Sequence, residues 1–167
     1  VDTDCSDLKT EVGSNDIVVV SGTFECDILE LGRDAFTLVG GNSSTTIGGK
    51  TVTTAGEAGE ILDTDTNNDL LVVEDDTTGV TISDLSLGLA AGVSPNNADG
   101  IQVGESTGTD KVTISNVTID GFDTGVRFLG SIGTTEDYVL TGSTIRNVGL
   151  GVMVTGNSSA MIEDTLI

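Results

Sequence analysis

The hydrophobic positions of this chain recur in short bursts, not in long stripes. Four bursts align: Ile82-Ser83-Asp84-Leu85-Ser86-Leu87, Ile114-Ser115-Asn116-Val117-Thr118-Ile119, Leu140-Thr141-Gly142-Ser143-Thr144-Ile145 and Ile162-Glu163-Asp164-Thr165-Leu166-Ile167. Their starts lie 32, 26 and 22 residues apart, and each burst opens and closes on an apolar residue around a small polar pair. A second series interleaves with the first: Gly100-Ile101-Gln102-Val103, Gly125-Val126-Arg127-Phe128 and Gly151-Val152-Met153-Val154, spaced by 25 and 26 residues. Alternation of period two marks a short strand with one buried face. The leading glycine lets the chain turn without a Cβ clash. No window sustains apolar spacing at three and four, so the pattern predicts almost no helix.

A period of 22 to 26 residues built from short strands and glycine-rich turns suits a coil of parallel strands, each pairing its backbone with the next coil. The one long interval places extra material at Gly88 to Asn97, expected to project as a loop. The N-terminal half follows the scheme less regularly. Ile17 to Val20 reads as strand, Ser21 to Phe24 as turn, Ile28 to Leu31 as strand and Phe36 to Gly41 as a further strand, followed by Thr45-Thr46-Ile47-Gly48-Gly49. This stretch resembles the opening coils of pectin-lyase-like β-helices, with an apolar strand, a Gly-Thr-aromatic turn, a Leu-Val-Gly strand and a Thr-Ile-Gly step. The resemblance covers residues 15–167 and implies an all-β fold, a right-handed single-stranded parallel β-helix (solenoid). Residues 1–167 are then one domain, or a piece of a longer solenoid. Folds of this kind host many unrelated functions, so the resemblance speaks to architecture first.

Composition narrows the partners. Six basic residues stand against 27 acidic ones, a net charge of −21, and there is no His and no Trp. Binding to nucleic acid is excluded as an expectation because phosphate affinity comes from Lys and Arg, and an anionic membrane is disfavoured for the same reason. The acidity fits a solvated face, solubility in high salt, cation binding or a hydrated cell surface. No apolar run approaches the 18 residues of a membrane-spanning helix, so no membrane insertion is expected. The start at Val1 rather than Met fits a mature or trimmed product.

The two cysteines, Cys5 and Cys26, read as a disulfide of an exported protein, pinning an N-terminal cap and first coil (residues 1–26); two reduced, buried thiols are the alternative. Such a loop contributes about 3 kcal/mol in the chain-entropy view. Sequons at Asn42, Asn116 and Asn157 permit glycosylation. Together these features place the chain outside the cell or at its surface.

Two motifs carry candidate chemistry. Asp63, Asp65, Asn67, Asp69 and Glu74 fall at positions 1, 3, 5, 7 and 12 of an EF-hand-like calcium loop, with Leu70 as the usual apolar residue. Asn68 replaces the family's Gly, and the flanks read as turn and strand, so an ordinary EF-hand is excluded. The competing reading is an Asx-rich turn between two strands. No cofactor is required for folding, and calcium is the one ion the sequence suggests. Pro95-Asn96-Asn97-Ala98-Asp99-Gly100-Ile101 resembles the Asn-Thr-Asp-Gly motif of polygalacturonase-type hydrolases, which carries over to Asp99 alone. Asp123 lies one coil further on, and glycoside hydrolysis needs two placed carboxyls. Calcium-assisted lyase chemistry would instead use Arg127 as base, with Arg146 nearby. The other reading is that Asp-Gly-Ile is simply how a coil enters its next strand, and the absence of His removes the rest of the hydrolase set.

The leading expectation is therefore a non-enzymatic extracellular structural subunit or surface module. It would associate end to end with copies of itself, as a filament, or with other surface subunits. That expectation comes from the uncapped last repeat at Ile167 and the incomplete catalytic motifs. The alternatives are a polysaccharide-processing β-helix, acting through Asp99, Asp123 and Arg127 on a polymeric partner, and a viral fibre or tail-spike module.

Overall fold

The computed structural model of the chain describes residues 5–47, 50–54, 56–65, 67–74, 77–104, 110–130, 137–156 and 158–167. The chain winds in coils of three strands. The first coil holds β1 (Ile17–Val20), β2 (Gly22–Cys26) and β3 (Leu29–Leu31). The second holds β4 (Thr37–Gly40), an inserted hairpin of β5 (Ser44–Ile47) and β6 (Lys50–Thr53), then β7 (Gly59–Asp63) and β8 (Leu71–Val73). The third is β9 (Thr78–Ser83), β10 (Leu85–Leu89) and β11 (Asp99–Val103); the fourth is β12 (Asp110–Ser115), β13 (Thr118–Asp120) and β14 (Thr124–Leu129). The fifth is β15 (Asp137–Thr141), β16 (Thr144–Arg146) and β17 (Leu150–Thr155), and β18 (Ser159–Glu163) opens a sixth.

Strands of successive coils pair in parallel to give three sheets, ordered β1-β4-β9-β12-β15-β18, β2-β7-β10-β13-β16 and β3-β8-β11-β14-β17. This is an all-β parallel β-helix. The aligned bursts are the corner from the first sheet into the second. Ile82 pairs with Ile114 and Ile114 with Leu140, and Leu140 pairs in turn with Ile162. The third residue of each burst, Asp84, Asn116, Gly142 and Asp164, sits in the left-handed region at φ 56, 53, 59 and 48. Asn, Asp and Gly tolerate that conformation best, so their recurrence there is the repeat's conformational cause.

The second series forms the stacked strands of the third sheet, with Ile101 against Val126 and Val126 against Val152. Its leading glycines are there for close approach. A Cβ on Gly100 would lie 2.7 Å from Cγ2 of Ile119 and 2.8 Å from the carbonyl of Gly125. The inward side chains Leu38, Ile82, Ile114 and Leu140 of the first sheet, Ile61, Leu87 and Ile119 of the second, and Leu71, Ile101 and Val126 of the third are all buried and fill one continuous core. Phe128 and Tyr138 stack within it at 4.7 Å between ring centroids.

The structure corrects several local expectations. A helix, α1 (Cys5–Ser14), buries Cys5, Leu8 and Val12 and touches all three strands of the first coil, so it caps that end of the spiral. Its three apolar positions do follow a helical spacing, in a stretch too short to stand out. The expected turn at Ser21 to Phe24 is mostly strand: Gly22 turns the corner at φ 89 and opens β2, which pairs with β7 from Gly22 to Cys26. The Thr45-Thr46-Ile47 step does not continue the coil but pairs antiparallel with β6. The extra material of the third coil is narrower than Gly88 to Asn97, because Gly88 and Leu89 belong to β10. The disulfide expected between Cys5 and Cys26 is present.

Candidate functional site

Both candidate motifs converge on the corner between the second and third sheets. In the second coil this corner is 64–70, in the third 90–98 and in the fourth only 121–123. Asp63 shares the inward parity of Gly59 and Ile61 on β7, and its neighbours in adjacent coils are Cys26 and Leu89. It has no exposed surface. Its Oδ1 accepts the Asp65 N–H at 2.8 Å, whereas Oδ2 is buried with no hydrogen-bond partner. Burial pushes this carboxyl up to about 6. The Asp65 N–H opposes the shift, and the charges of Asp65, Asp27 and Asp69 add to it.

The loop beyond Asp63 is a chain of side-chain-to-backbone bonds. Asp65 Oδ1 accepts the Asn67 N–H at 2.8 Å, and Asp65 Oδ2 accepts the Asn68 amide at 3.1 Å. Asn96 of the next coil donates to Asn67 Oδ1 at 3.1 Å, and the Asp99 N–H donates to Asp69 Oδ1 at 2.7 Å. Burial also raises Asp69, against the pull of the Asp99 N–H and the Arg127 charge. Glu74, the twelfth position of the calcium-loop spacing, is not part of this group. It follows β8, and its carboxylate lies over Gly32. Among the described residues no three acidic side chains gather closely enough to hold an ion by themselves.

Asp99 opens β11 and is also without exposed surface. Arg127 reaches it from β14: Nη2 donates to Oδ1 at 3.1 Å, and Nε stands 2.7 Å from Oδ2 without its N–H aimed at that oxygen. Burial and then Asp69 push Asp99 up to about 6, the Thr124 hydroxyl and Arg127 pull it down, and Asp123 raises it again. Asp123 belongs to the same ridge, its N–H bonded to the Ala98 carbonyl at 3.0 Å. Thus Asp69, Asp99, Asp123 and Arg127 do meet in one corner. Arg146 does not join them: it ends β16 in the second sheet and pairs with Asp120 at 2.9 Å. Asp99 is fully buried, and its carboxylate accepts from the Arg127 guanidinium.

Asn42 and Asn116 are exposed, at φ 55 and 53, and Asn157 lies outside the described residues. The Asn116 amide donates to Asp84 Oδ1 at 3.3 Å. Among the described residues no helix is long and apolar enough to cross a membrane. What sequence reading misses is the inward placement of Asp63; the Gly59-Glu60-Ile61-Leu62-Asp63 alternation is the signal that points to it. No protein-family model, no curated protein and no solved structure matches the chain.

Proposed function

We propose that this chain is a non-enzymatic extracellular structural module, a rigid β-helical rod of the pectin-lyase-like type, that associates with copies of itself. The observation that carries this reading is the engagement of Asp99, the one residue matching a catalytic motif, as an inaccessible partner of Arg127. The acidic corner then serves to tie consecutive coils together. The disulfide fits an oxidising compartment. Association is supported by Ile17 and Val19, large apolar side chains left exposed on the outward face of β1.

The second reading, a polysaccharide-processing β-helix, draws on the meeting of Asp69, Asp99, Asp123 and Arg127. One experiment separates the two. The chain and its Asp99→Ala variant are incubated with pectate, alginate and neutral polymers, and reducing ends and unsaturated products are measured. In parallel, sedimentation velocity is run over a wide concentration range. The structural reading expects no depolymerisation and concentration-dependent assembly. Depolymerisation abolished by Asp99→Ala, or uniform monomers at the highest concentration, would overturn it.

A further inference from the structure

The sequons at Asn42 and Asn116 present their asparagines differently. Asn42 stands in the turn that leaves β4, in the left-handed region at φ 55, and Ser44 opens the inserted hairpin. The residue between them is fastened. Ser43 Oγ donates to the Gly40 carbonyl at 2.9 Å, the Ser43 N–H donates to Thr54 Oγ1 at 3.0 Å, and the Ser43 carbonyl accepts the Thr54 N–H at 2.9 Å. The flanking Asn42 and Ser44 are exposed, and neither side chain has a hydrogen-bond partner among the described residues. Asn116 is exposed as well, but its side chain lies along the ridge of stacked coils. Its amide donates to Asp84 Oδ1 in the coil before at 3.3 Å, and a Cβ on Gly142 in the coil after would lie 2.5 Å from its Oδ1.

We propose that Asn42 is the acceptor for an N-linked glycan and that Asn116 is not, an inference that rests on the extracellular reading above. A glycan is bulky and hydrated and belongs on a projecting surface turn, and the sequon pairs its asparagine with a hydroxyl two residues on. Asn42 and Ser44 offer both groups to solvent. The donor is a saccharide carried on a lipid phosphate. The Asn42 amide nitrogen attacks its anomeric carbon: a C–N bond forms, the C–O bond to the phosphate breaks, and the amide gives one proton to the transferase. Asn42 has no side-chain bond to lose in this step. At Asn116 the same addition would put a sugar on the nitrogen that serves Asp84. The coils on either side pair with its own strand in register, one strand spacing of about 4.8 Å away, which leaves no room for a sugar along the ridge.

The test produces the full chain behind an added export signal in a secretory host that also glycosylates a co-expressed acceptor protein. The secreted, folded chain is analysed by glycopeptide mass spectrometry, which reads each sequon separately. Asn42 should carry glycan in most molecules and Asn116 in none. Asn42→Asp keeps a residue that tolerates the left-handed turn and should remove the glycan from that peptide. Ser44→Ala should remove it with the asparagine still in place. The added signal makes the outcome independent of where the chain resides in its own cell, so the site and the extracellular reading fail separately. Bare Asn42 beside a glycosylated co-expressed acceptor would overturn the site, and so would a glycan on Asn116 of the folded chain or one retained on Asn42 in Ser44→Ala.

Discussion

Arg127 and Asp99 sit in neighbouring coils, and the guanidinium of the one is the only positive partner of the other among the described residues, with Nη2 3.1 Å from Oδ1. The carboxylate has no exposed surface, while the arginine side chain keeps 30% of its own. Removing the cation strands a buried charge, which costs far more than losing a surface pair. Arg127→Met is therefore expected to cost about 3 kcal/mol in urea unfolding at pH 7.5. Adding Asp99→Asn to that variant should restore most of the loss. A cost below about 1 kcal/mol would place the pair with ordinary surface salt bridges.

The buried acids set a pH dependence. Asp63 and Asp99 both rise from 3.8 to about 6 in the folded protein. Between those values the folded state holds more protons than the unfolded one, so stability falls as pH rises through the window. The contribution is fully present below pH 4 and gone above about 6.5. Each group accounts for roughly 3 kcal/mol across the window. In calcium-free buffer, Asp63→Asn should therefore be more stable than the wild type at pH 7.5 by about 2 kcal/mol, and the gain should vanish near pH 3.5. A gain of the same size at both pH values would remove titration of Asp63 as its cause.

The spiral is legible in the sequence because its cause is local. Ile82, Ile114, Leu140 and Ile162 alternate with polar residues and precede a left-handed Asp, Asn or Gly, so each coil announces itself within six residues. The fate of Glu74 is not local. A calcium-loop spacing assumes a chain that folds back on its ion. Here Leu71 to Val73 run as an extended strand, which at about 3.3 Å per residue carries Glu74 some 10 Å away. Asp63 is hidden for a related reason: five oxygen-bearing residues in one stretch suggest a solvated loop, and only strand parity turns the first of them inward. Cys5, Leu8 and Val12 offer three apolar positions in ten residues, too few to announce a helix whose stability comes from docking on the first coil.

Glycine packing gives a contrast between two substitutions. In Gly100→Ala the new methyl would meet Ile119, Phe122 and the Gly125 carbonyl, none of which can retreat without shifting the core or the next coil. The expected cost is about 2–3 kcal/mol, typical of overpacking. At Gly13, near the end of α1, an added Cβ would find nothing within 4 Å. There Gly13→Ala should stabilise by about 0.5–1 kcal/mol through helix propensity. Differential scanning calorimetry of the two variants checks both signs at once, and similar small effects would mean that the coils are looser at Gly100 than these contacts require.

The cap at the start of the spiral rests on the Cys5–Cys26 bond, which closes a separation of 21 residues. In its absence α1 keeps the contacts of Leu8 and Val12, the Lys9–Asp27 pair and the Arg33 bond to the Gly13 carbonyl. These are few, and the charged contacts are largely exposed. The double variant Cys5→Ser, Cys26→Ser should thus lose about 3 kcal/mol, and the loss should not be uniform. Hydrogen exchange is expected to quicken first in α1 and in β1 to β3, whose outer edge the helix covers, while β11 to β16 keep their protection. A uniform loss across all coils would mean that the bond secures the whole spiral as one cooperative unit, not only its N-terminal cap.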